Sequence, residues 1–358
     1  MTDKKKIDIH FHTLGSGKNI ENADNDIYRN FDDNHIWYIR LLHSSIQNEL
    51  ERLGIDFNND GEITTEEYFK LIYAIFTQSK EIDGVVLLAM DAVYDLETGD
   101  RDDKRTDLYI TNTYLSNKVN ELNDRLQENN VKNKKFYFGA SVSPNRSDWE
   151  TELGKVFNET NAVLMKWIPS AQHIDLREKK HKEFYQALAA HKMPLLCHVG
   201  PEYSFPEGRR KKKLDNFKFL EYPLQQGVKV IAAHCAMPVF PLVNKNKSKK
   251  FLKFMKSANS GGVIRLWADT SALSLLTRAL WIDDIIGNFP PEWLVHGSDY
   301  PLPYDHWPHQ PWIQPKISTK EYNEIKKEKN PLDKDVKIKR AYDFPDSILE
   351  NTAAVLGL

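Results

Sequence analysis

Eight short, nearly continuous apolar runs recur along the chain, and no other feature restricts its fold as much. They are KIDIHFH at 6–12, DGVVLLAM at 83–90, KFYFGASV at 135–142, AVLMKW at 162–167, MPLLCHV at 193–199, VKVIAAH at 228–234, GVIRLWAD at 262–269 and EWLVHGSD at 292–299. Apolarity on both faces is what parallel strands need when helices cover one side and a core fills the other. Segments between several runs read as amphipathic helices, HKEFYQALAAHK at 181–192 most clearly. The later runs are spaced near the roughly 31 residues of one βα unit in an eight-fold barrel. The expected fold is therefore α/β, a closed (βα)8 barrel. An open doubly wound sheet is disfavoured because HTLGSGKN, after the first run, lacks the glycine pattern of a phosphate-binding turn.

A chain of 358 residues fits one such domain over 1–358 with insertions. Two connections are too long for plain βα links, 13–82 and about 305–345, and the first implies a helical insertion at 30–80 between strands one and two. Lys plus Arg number 49 against 51 Asp plus Glu, so no global field favours nucleic acid or an anionic membrane. No run approaches the roughly 18 apolar residues of a membrane helix, and the start carries no signal-peptide core. The expectation is a cytoplasmic protein acting on a small molecule, with a homo-oligomer left open. Only Cys197 and Cys235 occur, too few for a disulfide framework, and both read as packing.

The chemistry concentrates at the strand ends. His10 and His12 are two apart on a strand, so both leave one face and can converge on one ion, with Asp8 expected on that face one step lower. An isolated His-x-His is more often a pair of core histidines, but His198, His234 and Asp299 also close strands. In a barrel those C-terminal ends meet on one rim. Imidazole and carboxylate donors from separate strands suit a borderline metal such as zinc.

IDIHFH, MPLLCHVG, VIAAHCAMP, WADTSAL, LVHGSDYPLP and the ending NTAAVLGL together resemble the amidohydrolase superfamily, in its branch of aminocarboxymuconate-semialdehyde decarboxylase and related TIM-barrel metal-dependent hydrolases. The resemblance spans most of the barrel. It implies a divalent site, usually zinc, with His10, His12, His198 and Asp299 as ligands. His234 would then face the bound water or substrate as an acid, base or orienting group. A cation lowers the proton affinity of water, and a carboxylate such as Asp299 can take or return the proton.

Around that rim, Lys166 at the end of strand four reads as a substrate-charge or ion-pair residue ahead of a carboxylated metal bridge. A two-metal site stays open. Arg146, and more weakly Arg209 or Arg210, could meet a substrate carboxylate, although surface pairing is the commoner fate of an arginine. His306, Trp307, His309 and Trp312 follow strand eight and either line the site, Trp307 foremost as a substrate contact, or merely cover the barrel mouth. His296 should face away from the metal.

DFNNDGEITTEE at 56–67 resembles a calcium-binding EF-hand loop: Asp56, Asn58, Asp60, the Glu62 carbonyl, Thr64 and Glu67 stand at the ligand positions, with Gly61 at the turn. Asp- and Asn-rich turns are common without calcium. A lone loop of this kind suggests a structural clip rather than a sensor. The expected activity is metal-dependent hydrolysis of an ester, lactone or amide. The alternatives are non-oxidative decarboxylation of a small carboxylic acid on the same ligands, and a calcium-binding barrel without catalysis.

Overall fold

The computed structural model describes residues 4–30, 37–58, 62–239, 247–302 and 306–358. Its sheet contains eight parallel strands in sequential order: Ile7–His12, Gly84–Leu88, Lys135–Ala140, Ala162–Trp167, Leu195–Cys197, Val230–Ala232, Leu266–Asp269 and Leu294–Val295. Backbone bonds join the first strand to the last, with the amides of Ile9, Asp299 and His12 donating to His296, His10 and Tyr300 carbonyls at 3.0, 2.8 and 2.8 Å. The barrel is thereby closed, as the eight apolar runs require.

Two apolar layers result. Ile7, Ile9, Val86, Leu88, Tyr137, Leu164, Leu196, Ile231, Trp267 and Val295 fill the interior, while the alternate residues, among them Val85, Leu87, Phe136, Phe138, Met165, Trp167 and Cys197, pack outward under the helices. Period-two alternation produces this division.

Strand one breaks the alternation. Asp8 pairs with Val85 but Phe11 pairs with Leu87, so the strand carries one extra residue, a β-bulge. Ile7 faces inward before the bulge and His12 is inward after it. Asp8 does not share the face of His10 and His12, contrary to strict alternation; it lies on the outer layer. There Oδ1 accepts the amides of Ser298 at 2.8 Å and His10 at 3.1 Å, which ties strand eight to strand one. Burial pushes the Asp8 carboxyl up to about 7, against hydrogen bonds from Ser298 and His10 that favour its charge.

The long first connection contains helices Trp37–Leu53 and Thr65–Gln78. The second starts at a capping box: Thr64 accepts the Glu67 amide, and Glu67 Oε2 accepts the Thr64 amide at 2.8 Å. Its buried Tyr68, Phe69, Leu71, Ile72, Ile75 and Phe76 recur at helical spacing and belong to the outer core. Phe76 meets Phe136 of strand three at 4.6 Å between ring centroids. This helix is part of the barrel wall.

Candidate metal centre

The bulge delivers His10 and His12 to the C-terminal rim, where Asp299 arrives from the segment after strand eight. His10 Nε2 lies 3.0 Å from His12 Nε2 and 3.3 Å from Asp299 Oδ1, and His12 Nε2 lies 3.1 Å from Asp299 Oδ1. Three ligand atoms at 2.0–2.1 Å from a common ion stand about 2.9–3.4 Å apart for angles between octahedral and tetrahedral. The triangle has the size a divalent metal requires, and its donors are the right type. Gly297 permits the approach: a Cβ there would sit 2.8 Å from His10 Cβ.

His10 is oriented from behind. Its Nδ1 is 2.8 Å from Asp269 Oδ2 and 3.1 Å from Ser271 Oγ. A proton held on Nδ1 by that carboxylate leaves the Nε2 lone pair directed into the triangle. Asp269 Oδ1 also accepts the amides of His234 at 2.7 Å and Ser271 at 3.1 Å. Strand reasoning missed Asp269, although it closes strand seven, in WADTSAL, as Asp299 and the histidines close theirs.

His234 lies beyond strand six, in a left-handed turn where His234, Cys235 and Ala236 have φ of 56°, 51° and 53°. Three such non-glycine residues in succession are costly and persist only where surroundings hold them; Asp269 and Ser271 hold His234. Ser271 Oγ is 2.7 Å from His234 Nδ1, and that nitrogen is 3.8 Å from Asp299 Oδ2. His234 is thereby set beside Asp299.

His198 is buried and stacks edge-on against His234 at 5.1 Å, but it is outside the donor triangle. Its Nδ1 faces Glu202 Oε2 at 3.4 Å and its Nε2 is 3.2 Å from the Gly200 carbonyl. Lys166 is inside the site, its ammonium 2.7 Å from His10 Nε2. It donates to the lone pair that a metal would take, so the two compete for one nitrogen. Burial lowers the Lys166 pKa, against the pull of Asp269 and Asp299.

Charge in the site follows from burial. Desolvation, with Lys166 nearby, pushes His10 down to about 4, which keeps it neutral at neutral pH. Burial likewise lowers His198 and His234. Burial opposes ionisation of Asp299, but His234, His10 and His12 outweigh it and hold the carboxyl well below the usual range. A neutral His10 beside an ionised Asp299 is suited to metal ligation. His12 is partly open, with 30% of its side chain exposed, and offers the approach from solvent.

The remaining candidates separate. Arg146 is held by Asp91 at 3.3 Å, Asp148 at 2.8 Å and Tyr94 Oη at 2.6 Å, and Arg209 pairs with Asp107. His309 is buried against Tyr342 Oη and the Ser274 carbonyl, so it covers the barrel rather than lining the site. Trp307 is 41% exposed on the adjacent turn. His296 faces away from the metal triangle, toward Lys339 and Asp335. Cys197 and Cys235 are buried, and burial raises both thiols, consistent with packing.

Of the calcium-loop candidates, Asp60 lies outside the described residues, with Asn59 and Gly61. Asp56 and Asn58 follow the first helix, Glu62 is 3.7 Å from Lys18 Nζ, and Ile63 is buried. Thr64 and Glu67 form the capping box, and Glu67 Oε1 also accepts the Asn58 amide at 2.7 Å. Both oxygens of the twelfth loop position are thus engaged by the loop's own backbone.

No helix among the described residues is long and apolar enough to cross a membrane. No family model matches the chain, and no curated protein matches it. Solved structures do. An uncharacterised TIM-barrel protein from Bordetella bronchiseptica aligns over 99% of this chain and 100% of its own, at 11% identity and a TM-score of 0.53. A probable 2-pyrone-4,6-dicarboxylic acid hydrolase from Acinetobacter baumannii, solved with citric acid bound, aligns over 99% and 100% at 13% identity and 0.52. An IDCase from Metarhizium anisopliae covers 99% and 98% at 12% identity and 0.50. The chain is a TIM barrel, sharing over its whole length the fold of these proteins, as the eight strands and their closure had indicated.

Proposed function

We propose that this barrel is a metal-dependent hydrolase of a small organic ester, lactone or amide. The donor triangle of His10, His12 and Asp299 carries this reading: two imidazole nitrogens and a carboxylate oxygen point at one another from 3.0–3.3 Å. These three atoms are close enough for one cation to engage all of them at once, in place of the hydrogen bonds they share with one another and with Lys166. A divalent metal, zinc by donor type, would supply Lewis acidity to a carbonyl and lower the proton affinity of water.

The chain's own groups do the rest. Asp299 directs Oδ1 to the triangle and Oδ2 toward His234, so the second oxygen is the one placed to take a proton and return it to the leaving group. His234, kept neutral by burial and fixed by Ser271 and Asp269, orients that carboxylate and the substrate oxygen. Lys166, whose ammonium meets His10 Nε2, would be released toward the substrate when a metal takes that nitrogen, and His198 with Glu202 closes the wall. Asp269 keeps His10 in the ligating tautomer. Asp269→Ala is expected to weaken zinc binding about 10–100-fold, measured by zinc titration calorimetry; unchanged affinity would remove Asp269 from this role.

The test of the reaction is a panel of esters, lactones, amides and aryl carboxylic acids with the zinc-loaded protein, scored for acid release and for carbon dioxide. Acid release supports hydrolysis. Carbon dioxide alone would replace it with decarboxylation, for which the same ligands serve. Calcium at 56–67 rests on the loop sequence and its two flanking helices, and binding there needs Glu67 to exchange its amide partners for the ion. Calorimetry showing no calcium binding to the intact chain would end that reading.

A further inference from the structure

Arg278 is a buried cation for which the described residues supply no hydrogen-bond or ion-pair partner. It lies on the short helix Leu276–Ala279, which follows strand seven at the same rim as the metal triangle. The residue is 4% exposed. Its Nε is buried without a hydrogen-bond partner, and no carboxylate among the described residues lies within ion-pair distance of the guanidinium. A guanidinium stays charged in proteins and presents five donors in a planar fork, so burying it unpaired is strongly unfavourable. Buried Lys339, by contrast, is paired with Asp335 at 2.6 Å, and half-buried Arg146 with Asp91 at 3.3 Å.

Arg278 nonetheless stands in the field of the site. Asp299, Glu202 and Asp269 act on it, and it acts in turn on His198 and His234. Those acids are committed elsewhere: Asp299 to His10 and His12, Asp269 to His10 and the His234 amide, and Glu202 to His198 and the Ser204 amide. The helix packs against the turn Trp307–His309, which shields this side of the barrel mouth.

We infer that Arg278 anchors a carboxylate of the substrate, so that the substrate is an acid whose anionic group lies apart from the bond cleaved at the metal triangle. A carboxylate fits better than a phosphate. One planar fork matches two coplanar oxygens, and the neighbouring cation, Lys166, is engaged with His10. For the cleaved bond this rests on the hydrolase reading; the anchor itself does not.

The experiment uses the whole chain, zinc-free and zinc-loaded, with benzoate and succinate each titrated against its uncharged amide. Native protein should prefer the acids by on the order of a hundredfold even without zinc, the size expected of a buried charge pair. Arg278→Gln should abolish the preference, and Arg278→Lys, which keeps charge but loses the fork, should retain part of it. Equal binding of acid and amide by native protein, or an unchanged preference in folded Arg278→Gln, would overturn the inference. If Arg278→Gln does not fold, the native comparison and the lysine variant decide. Zinc content in the same samples separates the two readings: preference without zinc binding retains the anchor and removes the metal reading, and zinc binding without preference does the reverse.

Discussion

Asp299→Asn is expected to lower kcat/KM by on the order of a thousandfold while the barrel stays folded. Asparagine keeps the size of aspartate and one carbonyl oxygen, but its amide cannot accept a proton at neutral pH. The backbone tolerates the exchange: Asp299 has φ of 68°, a left-handed conformation that asparagine adopts almost as readily, and its amide still donates to the His10 carbonyl. Removing the negative charge also weakens the ligand triangle, so kinetics must be run at saturating zinc with content measured. A folded, zinc-loaded variant with full activity would exclude Asp299 from proton transfer.

Trp167→Ala is the largest expected stability change, about 3–5 kcal/mol in urea denaturation. Trp167 ends strand four with no exposure, its ring 5.4 Å from Phe184 and 6.0 Å from Tyr185. Its Nε1 donates to the Val142 carbonyl at 2.9 Å, so truncation leaves both a cavity and an orphaned buried acceptor. Lys166, one residue earlier, would lose the packed strand end that holds it beside His10. Trp312, 77% exposed, is the control: its alanine variant should change stability by less than about 0.5 kcal/mol. A loss below about 1 kcal/mol for Trp167→Ala would mean that the strand-four wall is not the packed structure described.

The barrel was legible because strands buried on both faces have no choice but to be apolar, and eight such runs fit few other sheets. His10, His12 and Asp299 were legible as polar residues interrupting that apolarity at strand ends. Asp269 carries the same signal, but nothing in one strand end shows which carboxylate ligates and which orients a ligand. The bulge at strand one leaves no mark in composition, since one extra residue changes the facing of Asp8 without changing the letters. The left-handed turn at His234 is equally silent, because its stabilisers, Asp269 and Ser271, are distant in sequence. At 56–67 one set of letters has two physical uses: Thr64 and Glu67 suit the ninth and twelfth positions of a calcium loop and equally the two ends of a capping box. The described contacts show the second use.

His10, His12 and Asp299 are expected to hold one divalent metal between them. Zinc titration calorimetry on the metal-stripped protein and on His10→Ala and His12→Ala tests it most directly. One equivalent of zinc bound by the native chain, and lost in both folded variants, is the predicted result; undiminished zinc binding in either variant would contradict it.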